Sequence, residues 1–163
     1  MNAPDQRPSD ACSERQAALR IGVKRLRPEA HLPQRAYAND AAWDLFSADE
    51  LTLPAHGRAV VGTGIALDLP TGLAAFTLPR SGLAADHGIS LVNAPGLIDP
   101  GYRGEVKLIL LNTDPAASFT VRQGDRLAQL LVVSLVPCSL CEVTRLSPSD
   151  RGPRGLGSSG HRA

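Results

Sequence analysis

Aromatic side chains are scarce in this chain: they make up 4% of its 163 residues, with one Trp, two Tyr and three Phe. Any core must therefore be assembled from Val, Leu, Ile and Ala. A surplus of one charge is also missing. Seventeen Lys and Arg face 16 Asp and Glu, for a formal net charge of +1. That balance excludes a strongly basic nucleic-acid binder and an acidic disordered chain, so no nucleic-acid partner is expected. No apolar run approaches the ~18 residues needed to span a bilayer, so no membrane partner is expected either. The N-terminal stretch lacks the apolar segment of a secretory signal, which makes a cytoplasmic location the expectation. Three cysteines are too few for a disulfide framework.

What is present points to β structure. Fifteen Gly and 13 Pro are high for a helical protein and suit a turn-rich fold. Residues 1–19 are polar and aperiodic and read as a disordered arm. Residues 20–146 form one domain, and residues 147–163 a flexible Gly- and Arg-rich C-terminal arm. Inside the domain, short apolar runs recur between Gly, Pro, Asp and Asn breaks. Strands are predicted at 21–26, 43–46, 59–69, 73–78, 89–92, 105–112, 119–121 and 127–136, the last with a short helix as its alternative. Only Ser81–His87 reads as helix, with Ser81 as N-cap and Gly88 as terminator. The fold class is thus all-β, a sandwich, jelly roll or small barrel with one short helix. Leu108–Leu111 and Leu130–Val133 are apolar on both faces. One small sandwich has one inner face to fill, so the surplus predicts a symmetric oligomer. Cys138 and Cys141 form a C-x-x-C pair in what reads as a strand broken by Pro137. There they are expected to be two small buried or half-buried residues rather than a redox or metal site.

Five segments carry chemistry. Asp44 follows Asp40-Ala-Ala-Trp43 inside an apolar run, as a turn carboxylate or a functional one. In Pro79-Arg-Ser-Gly-Leu-Ala84 a strand ends and a helix begins beside a cation and a hydroxyl, which makes an anion site or an ordinary capped helix. Asn93-Ala-Pro-Gly-Leu-Ile-Asp-Pro-Gly-Tyr-Arg-Gly-Glu105 is a Gly/Pro-rich hairpin. It is either a decorated turn or a place where backbone groups read a planar base, with Asp99 to activate water and Tyr102 as a flat wall. In Gln123-Gly-Asp-Arg-Leu-Ala-Gln-Leu-Leu131, Gln129 interrupts an apolar strand and needs a partner, whereas Asp125 and Arg126 are a candidate turn pair. In Arg151-Gly-Pro-Arg-Gly-Leu-Gly-Ser-Ser-Gly160, open backbone amides and two arginines suit phosphate oxygens, or a plain tail.

Taken together, in this order and spacing, the segments resemble the five motifs of the homotrimeric dUTPases (deoxyuridine triphosphate nucleotidohydrolases), over about residues 20–160. The most specific are Pro79–Ala84, Gly96–Glu105 and Gly124–Leu130. The resemblance implies a jelly-roll-like β-sandwich, the dUTPase-like β-clip, assembled as a homotrimer. Each active site would then draw on three chains. It implies hydrolysis of dUTP to dUMP and pyrophosphate, which limits uracil incorporation into DNA and supplies dUMP for dTMP synthesis. Asp99 would be the general base that activates water against the α-phosphorus. Arg80, Ser81 and Gly82 would hold the phosphates, and Gln129 the α-phosphate region. Asn93, Leu97, Ile98 and the Asp99 backbone would read uracil, and Lys107 would line the nucleotide pocket. Tyr102 would pack on the deoxyribose. Arg151 would close over the γ-phosphate and Leu156 over the base. Mg²⁺ is implied as cofactor, bound to the triphosphate, with Asp44 reaching it through water.

The sequence departs from the motifs at three places. Ala42 stands where Gly is usual, at a cost of ~1–2 kcal/mol if φ there is positive. Arg154 replaces a Gly, and Leu156 replaces the aromatic ring that stacks on uracil. The rival readings are a dCTP deaminase-like or bifunctional enzyme on the same fold, and a non-catalytic dUTP-binding protein.

Overall fold

The computed structural model describes residues 19–156; the expected N-terminal arm lies, except for Leu19, outside the described residues, as do residues 157–163 of the C-terminal arm. Eleven strands and one helix follow in the order β1 (Gly22–Arg25), β2 (Trp43–Phe46), β3 (Leu51–Leu53), β4 (Arg58–Gly62), β5 (Ile65–Asp68), β6 (Leu73–Pro79), α1 (Ser81–His87), β7 (Ile89–Leu91), β8 (Gly96–Ile98), β9 (Lys107–Asn112), β10 (Phe119–Val121) and β11 (Arg126–Ser134). The fold is a jelly-roll-like β-sandwich with one short helix. A four-stranded sheet runs β2-β11-β6-β8 and a three-stranded sheet β4-β9-β7, with two ribbons, β1-β5 and β3-β10. Every pairing is antiparallel.

All strands except β1 supply a buried side chain to one core, from Leu45 on β2 to Leu130 on β11. The buried members of that core are aliphatic, and Trp43 and Phe119 pack only at its margin. Scarcity of aromatics is met by close-packed Leu, Val, Ile and Ala on the inward face of each strand. On β9, Leu108 and Leu110 are buried while Ile109 and Leu111 stand half-exposed on the other face. On β11, Leu130 is buried and Leu131 and Val133 remain half-exposed. The surplus apolar face anticipated from composition is therefore present on both strands.

The structure departs from the sequence reading in specific ways. The predicted 59–69 strand is two strands, because Gly64 adopts φ +68 and a Cβ there would lie 2.7 Å from Ala30 Cβ. The 127–136 run is strand, not helix. Strands β3 and β8 were not anticipated: each is three residues long, and β8 lies inside a Gly/Pro-rich segment. Arg80, extended at φ −88 and ψ 127, takes the N-cap position with no side-chain cap bond, so Ser81 is the first helical residue and not the cap. Gly88 does end the helix, in the left-handed region at φ 64. Residues 135–146 form no strand, and Cys138 and Cys141 are exposed rather than buried. Beyond the Leu135 N–H bond to Gly72 O, Pro137 removes the next donor along, and among the described residues no strand pairs with this stretch to continue the ladder.

An ion ladder ties the turn after β2 to the start of β9. Arg27 donates Nη1 to Asp49 Oδ1 and Nη2 to Glu105 Oε1, both at 2.7 Å. Asp49 Oδ2 accepts the Gly62 N–H at 2.6 Å and Glu105 Oε1 the Gly64 N–H at 2.8 Å. The hydrogen bond from Arg27, with that from Gly62, holds the Asp49 carboxyl below its ordinary value of 3.8. Asp49 and Glu105 in turn hold the Arg27 guanidinium above its ordinary range. A carboxyl with a depressed folded value contributes stability above its unfolded value and loses it as pH falls through the folded one. Asp49→Asn should therefore lower the melting midpoint at neutral pH by a few degrees, for a loss of about 1–2 kcal/mol. The gap to the parent should close as pH falls below 3.8. Thermal melts across that range, with a gap that stays constant, would refute this account.

Candidate active site

Asp44 lies mid-strand on β2, 6% exposed, and is not a turn carboxylate. β11 pairs with β2 so that Gln129 sits directly across from Asp44, and the two side chains share a face. Burying a carboxylate demands compensation. Arg126 supplies it from Nη1 to Oδ2 at 3.2 Å, and Arg80 Nε lies 3.2 Å from Oδ1. The Arg80 N–H is not directed at that oxygen, so Oδ1 is buried without a hydrogen bond. Arg80 also donates to the Arg126 carbonyl at 2.9 Å. Asp125 does not pair with Arg126: its carboxylate accepts the Arg122 N–H at 2.8 Å within the turn before β11, which leaves Arg126 to reach Asp44. Ser81 and Gly82 are exposed at the first turn of α1. Asp44, Arg80, Ser81, Gly82 and Gln129 thus gather at one end of the four-stranded sheet, with Arg126, which sequence reasoning had assigned elsewhere.

The hairpin residues gather at a second place. A cleft of about 260 Å³ is lined by Asn93, Gly96, Leu97, Ile98, Asp99, Tyr102 and Lys107, with Thr77, Glu105 and Val106 among its remaining walls. Its floor is β8, which pairs with β6 at Ala75–Thr77. Gly96 is required there, since a Cβ would lie 2.3 Å from Thr77 Oγ1. Asp99 is exposed, and its carbonyl accepts the Tyr102 N–H at 3.1 Å, which closes the turn. The Tyr102 hydroxyl donates to the Glu105 carbonyl at 2.9 Å, fixing the ring across Gly104. Arg103 points away, to Asp68 and the Pro100 carbonyl. None of the first group lines this cleft.

The arm residues are apart from both groups. Arg151 Nε and Nη2 donate to the carbonyls of Arg154 and Gly155 at 3.1 and 3.2 Å, and Arg154 Nε returns a bond to Arg151 O at 2.9 Å. Leu156 is fully exposed. Ala42 carries no left-handed strain, since His56 is the one non-glycine residue with positive φ among the described residues. Sequence reasoning assigned no part to Glu105, Arg27 or Asp49. The Glu105 acidic side chain at the end of the hairpin motif was the available signal.

A β-sandwich that offers a cationic sheet end and a hairpin cleft has the parts of a nucleotide-handling enzyme, with donors for an anion and backbone for a base. The dUTPase family model matches residues 28–160, and the chain belongs to that family of nucleotidohydrolases. The deoxyuridine 5'-triphosphate nucleotidohydrolase of Thermobifida fusca (strain YX) is 50% identical over 145 residues, 89% of this chain and 81% of that protein. That of Rhodococcus erythropolis (strain PR4 / NBRC 100887) is 49% identical, over 89% of this chain and 88% of its own. Among solved structures, the dUTPase of Staphylococcus bacteriophage 80alpha with dUpNHpp superposes with a TM-score of 0.82 at 28% identity, covering 87% of this chain and 99% of that one.

A Cβ on Gly104 would lie 2.5 Å from the Tyr102 hydroxyl and 2.6 Å from Cζ. Gly104→Ala should therefore tilt the ring off its place while leaving the core intact. Steady-state kinetics with dUTP should show kcat/KM reduced on the order of ten- to a hundredfold, as a displacement near 1 Å produces. An unchanged kcat/KM would mean that the ring does not meet the nucleotide.

Proposed function

We propose that this protein hydrolyses dUTP to dUMP and pyrophosphate, in the cytoplasm, as a homotrimer. The observation that carries the reading is the cleft itself: exposed Asp99 lines a pocket together with all three residues of β8. In this reading Asn93, Leu97 and Ile98 hold the uracil edge, Tyr102 packs on the deoxyribose and Lys107 lines the pocket. Asp99 accepts a proton from the water that attacks the α-phosphorus, and the α–β bridging bond breaks to release pyrophosphate. A carboxylate placed at the water is a modest base, so most of the acceleration comes from holding the reacting atoms in line and from opposing charge. Arg80, the amides of Ser81 and Gly82, and Gln129 hold the phosphate chain. The product dUMP would feed dTMP synthesis, and removal of dUTP would limit uracil in DNA.

Mg²⁺ fits the residues present in one way. Among the described residues no three His, Cys, Asp or Glu side chains cluster as a metal cage. Asp44 Oδ1 is a buried acceptor without a donor, suited to a water on a triphosphate-bound ion. Bound there, the ion would neutralise phosphate charge.

The cleft lies on the β8 side of β6 and Asp44 and Gln129 on its β11 side, while Arg80, Ser81 and Gly82 continue the end of β6. In this reading a complete site joins one chain's cleft to another chain's cationic end, with Arg151 and Leu156 of a third chain's arm above. Two further features support the trimer. An apolar groove of about 270 Å³ lies between Ile21, Leu32, Trp43, Leu130 and Val132. Val136, Leu140, Val143 and Leu146 are exposed on the segment that leaves β11.

Pyrophosphate release from dUTP with Mg²⁺ tests the activity, and ammonia release from dCTP or binding without turnover would favour the rivals. Asp99→Asn should keep dUTP affinity and lose at least about a thousandfold in kcat. Retention of a tenth of kcat would remove Asp99 from the role of base. Sedimentation equilibrium should give close to three times the 17.2 kDa chain mass. Removal of residues 147–163 should leave that mass ratio intact yet cut kcat/KM severely, and Leu156→Phe should raise kcat/KM a few-fold, for about 1 kcal/mol of stacking. A fully active monomer, or a truncation without effect, would contradict the three-chain site.

A further inference from the structure

We propose that Glu105 is a positioning residue for the nucleotide cleft, through which the Arg27–Asp49 ion pair sets where Lys107 stands and anchors the backbone carbonyl that Tyr102 bonds. This rests on the reading of the cleft as the dUTP site. Four contacts converge on Glu105. Its Oε1 accepts from Arg27 Nη2 at 2.7 Å and from the Gly64 N–H at 2.8 Å. Its Oε2 lies 3.9 Å from Lys107 Nζ. Its carbonyl accepts the Tyr102 hydroxyl at 2.9 Å. The charges alternate along one line, Asp49, Arg27, Glu105 and Lys107, starting at the turn after β2 and ending in the cleft wall.

The backbone makes this line stiff. Val106, between Glu105 and Lys107, is buried, and it exchanges bonds with the 63–65 turn: its N–H to Ile65 O at 2.8 Å, and its carbonyl from Thr63 Oγ1 at 2.6 Å. Glu105 and Lys107 therefore project together on the face opposite Val106. The Glu105 side chain is 20% exposed and Lys107's 57%. The anchored member is thus the acid, and the more exposed member the ammonium in the cleft wall. Four charges would be superfluous merely to hold a turn already tied by these backbone bonds. Two of them, Glu105 and Lys107, line both the cleft and the adjoining polar hollow formed with Arg27 and Asp49. A flexible lysine pays rotamer entropy on binding, and a fixed acid beside it reduces that cost.

The test is a double-mutant cycle on the full-length protein. Calorimetric titration with dUMP, and kcat and KM for dUTP, are measured for the parent, Glu105→Gln, Lys107→Met and the double variant. The glutamine keeps an acceptor for Gly64 and removes the charge that holds Lys107. Glu105→Gln should weaken dUMP about five- to twentyfold and raise KM in step, with kcat within about twofold of the parent. In the Lys107→Met background the same change should cost less than about twofold. Arg27→Lys, which keeps the charge but loses the two-pronged bridge, should show a smaller defect of the same kind. Equal effects of Glu105→Gln in both backgrounds, or unchanged dUMP affinity in both Glu105→Gln and Arg27→Lys, would make the ladder a stabilising strut and overturn the inference. A parent that neither binds dUMP nor turns over dUTP would instead overturn the assignment of the cleft.

Discussion

A buried carboxylate organises this molecule. Asp44 sits in the middle of a strand, almost out of water, where an unpaired charge would cost several kcal/mol. Its compensation comes from Arg80, at the junction of β6 and α1, and from Arg126, at the start of β11. Removal of either guanidinium would leave the acid short of a partner, and removal of the acid would leave two like charges side by side. The three segments that the sequence separates by tens of residues are therefore bound to one geometry. That geometry also leaves Oδ1 unsatisfied and keeps Gln129 facing it across the ladder. A site that must receive a polyanion benefits from cations already fixed by an internal counterion, because little reorganisation is left when the ligand arrives.

The central strand β6 lies between the two groups of candidate residues. It pairs with β11 from Leu73 to Pro79 and with β8 from Ala75 to Thr77. One flank carries the β8 cleft and the other carries Asp44 and Gln129, while Arg80, Ser81 and Gly82 follow directly from the end of β6. Apolar residues on the outer faces of β9 and β11, together with the exposed apolar segment after β11, give a physical reason for copies to associate. In this reading, association and completion of the site are the same event.

Much of this was legible in the sequence, for reasons that can be named. Trp43–Phe46 and Phe119–Val121 were bounded to the residue, as short stretches of bulky strand-forming side chains set off by small or polar neighbours. Gly88 was legible as a helix end because few other residues tolerate φ 64. Period-two reading failed where a strand was too short to show a period, as in β3, and where turn chemistry and strand coincided, as in β8. It also failed at Cys138 and Cys141, since an apolar stretch with no neighbouring strand to pair with has no ladder to join. At the candidate site, residue types offered Asp99, Tyr102, Arg80 and Gln129 only as possibilities, and the resemblance to the dUTPase motifs gave them roles. Partnership was another matter. Asp125 and Arg126 are adjacent and opposite in charge, yet each is claimed by a group that sequence distance hides: the Arg122 amide and Asp44.

The arm shows how a departure from a motif can be absorbed. Arg154 stands where the motif has Gly, and its guanidinium bonds back to Arg151 O while Arg151 bonds to the carbonyls of Arg154 and Gly155. The two arginines thus hold each other in a local turn rather than trailing in solvent. These bonds are exposed and neutral at the acceptor, so each contributes on the order of 1 kcal/mol or less. A phosphate oxygen is a charged acceptor and wins that exchange readily. The turn therefore preforms the arm's cationic end without locking it, and Arg154 adds a second positive charge beside Arg151. If the arm closes over the nucleotide as proposed, the lost ring at Leu156 would weaken its grip on the base, and the added guanidinium would strengthen its grip on the phosphates. In the reading proposed here, the balance of arm closure in this chain is shifted from stacking toward charge, and salt should loosen it more than it would an arm that closes by stacking.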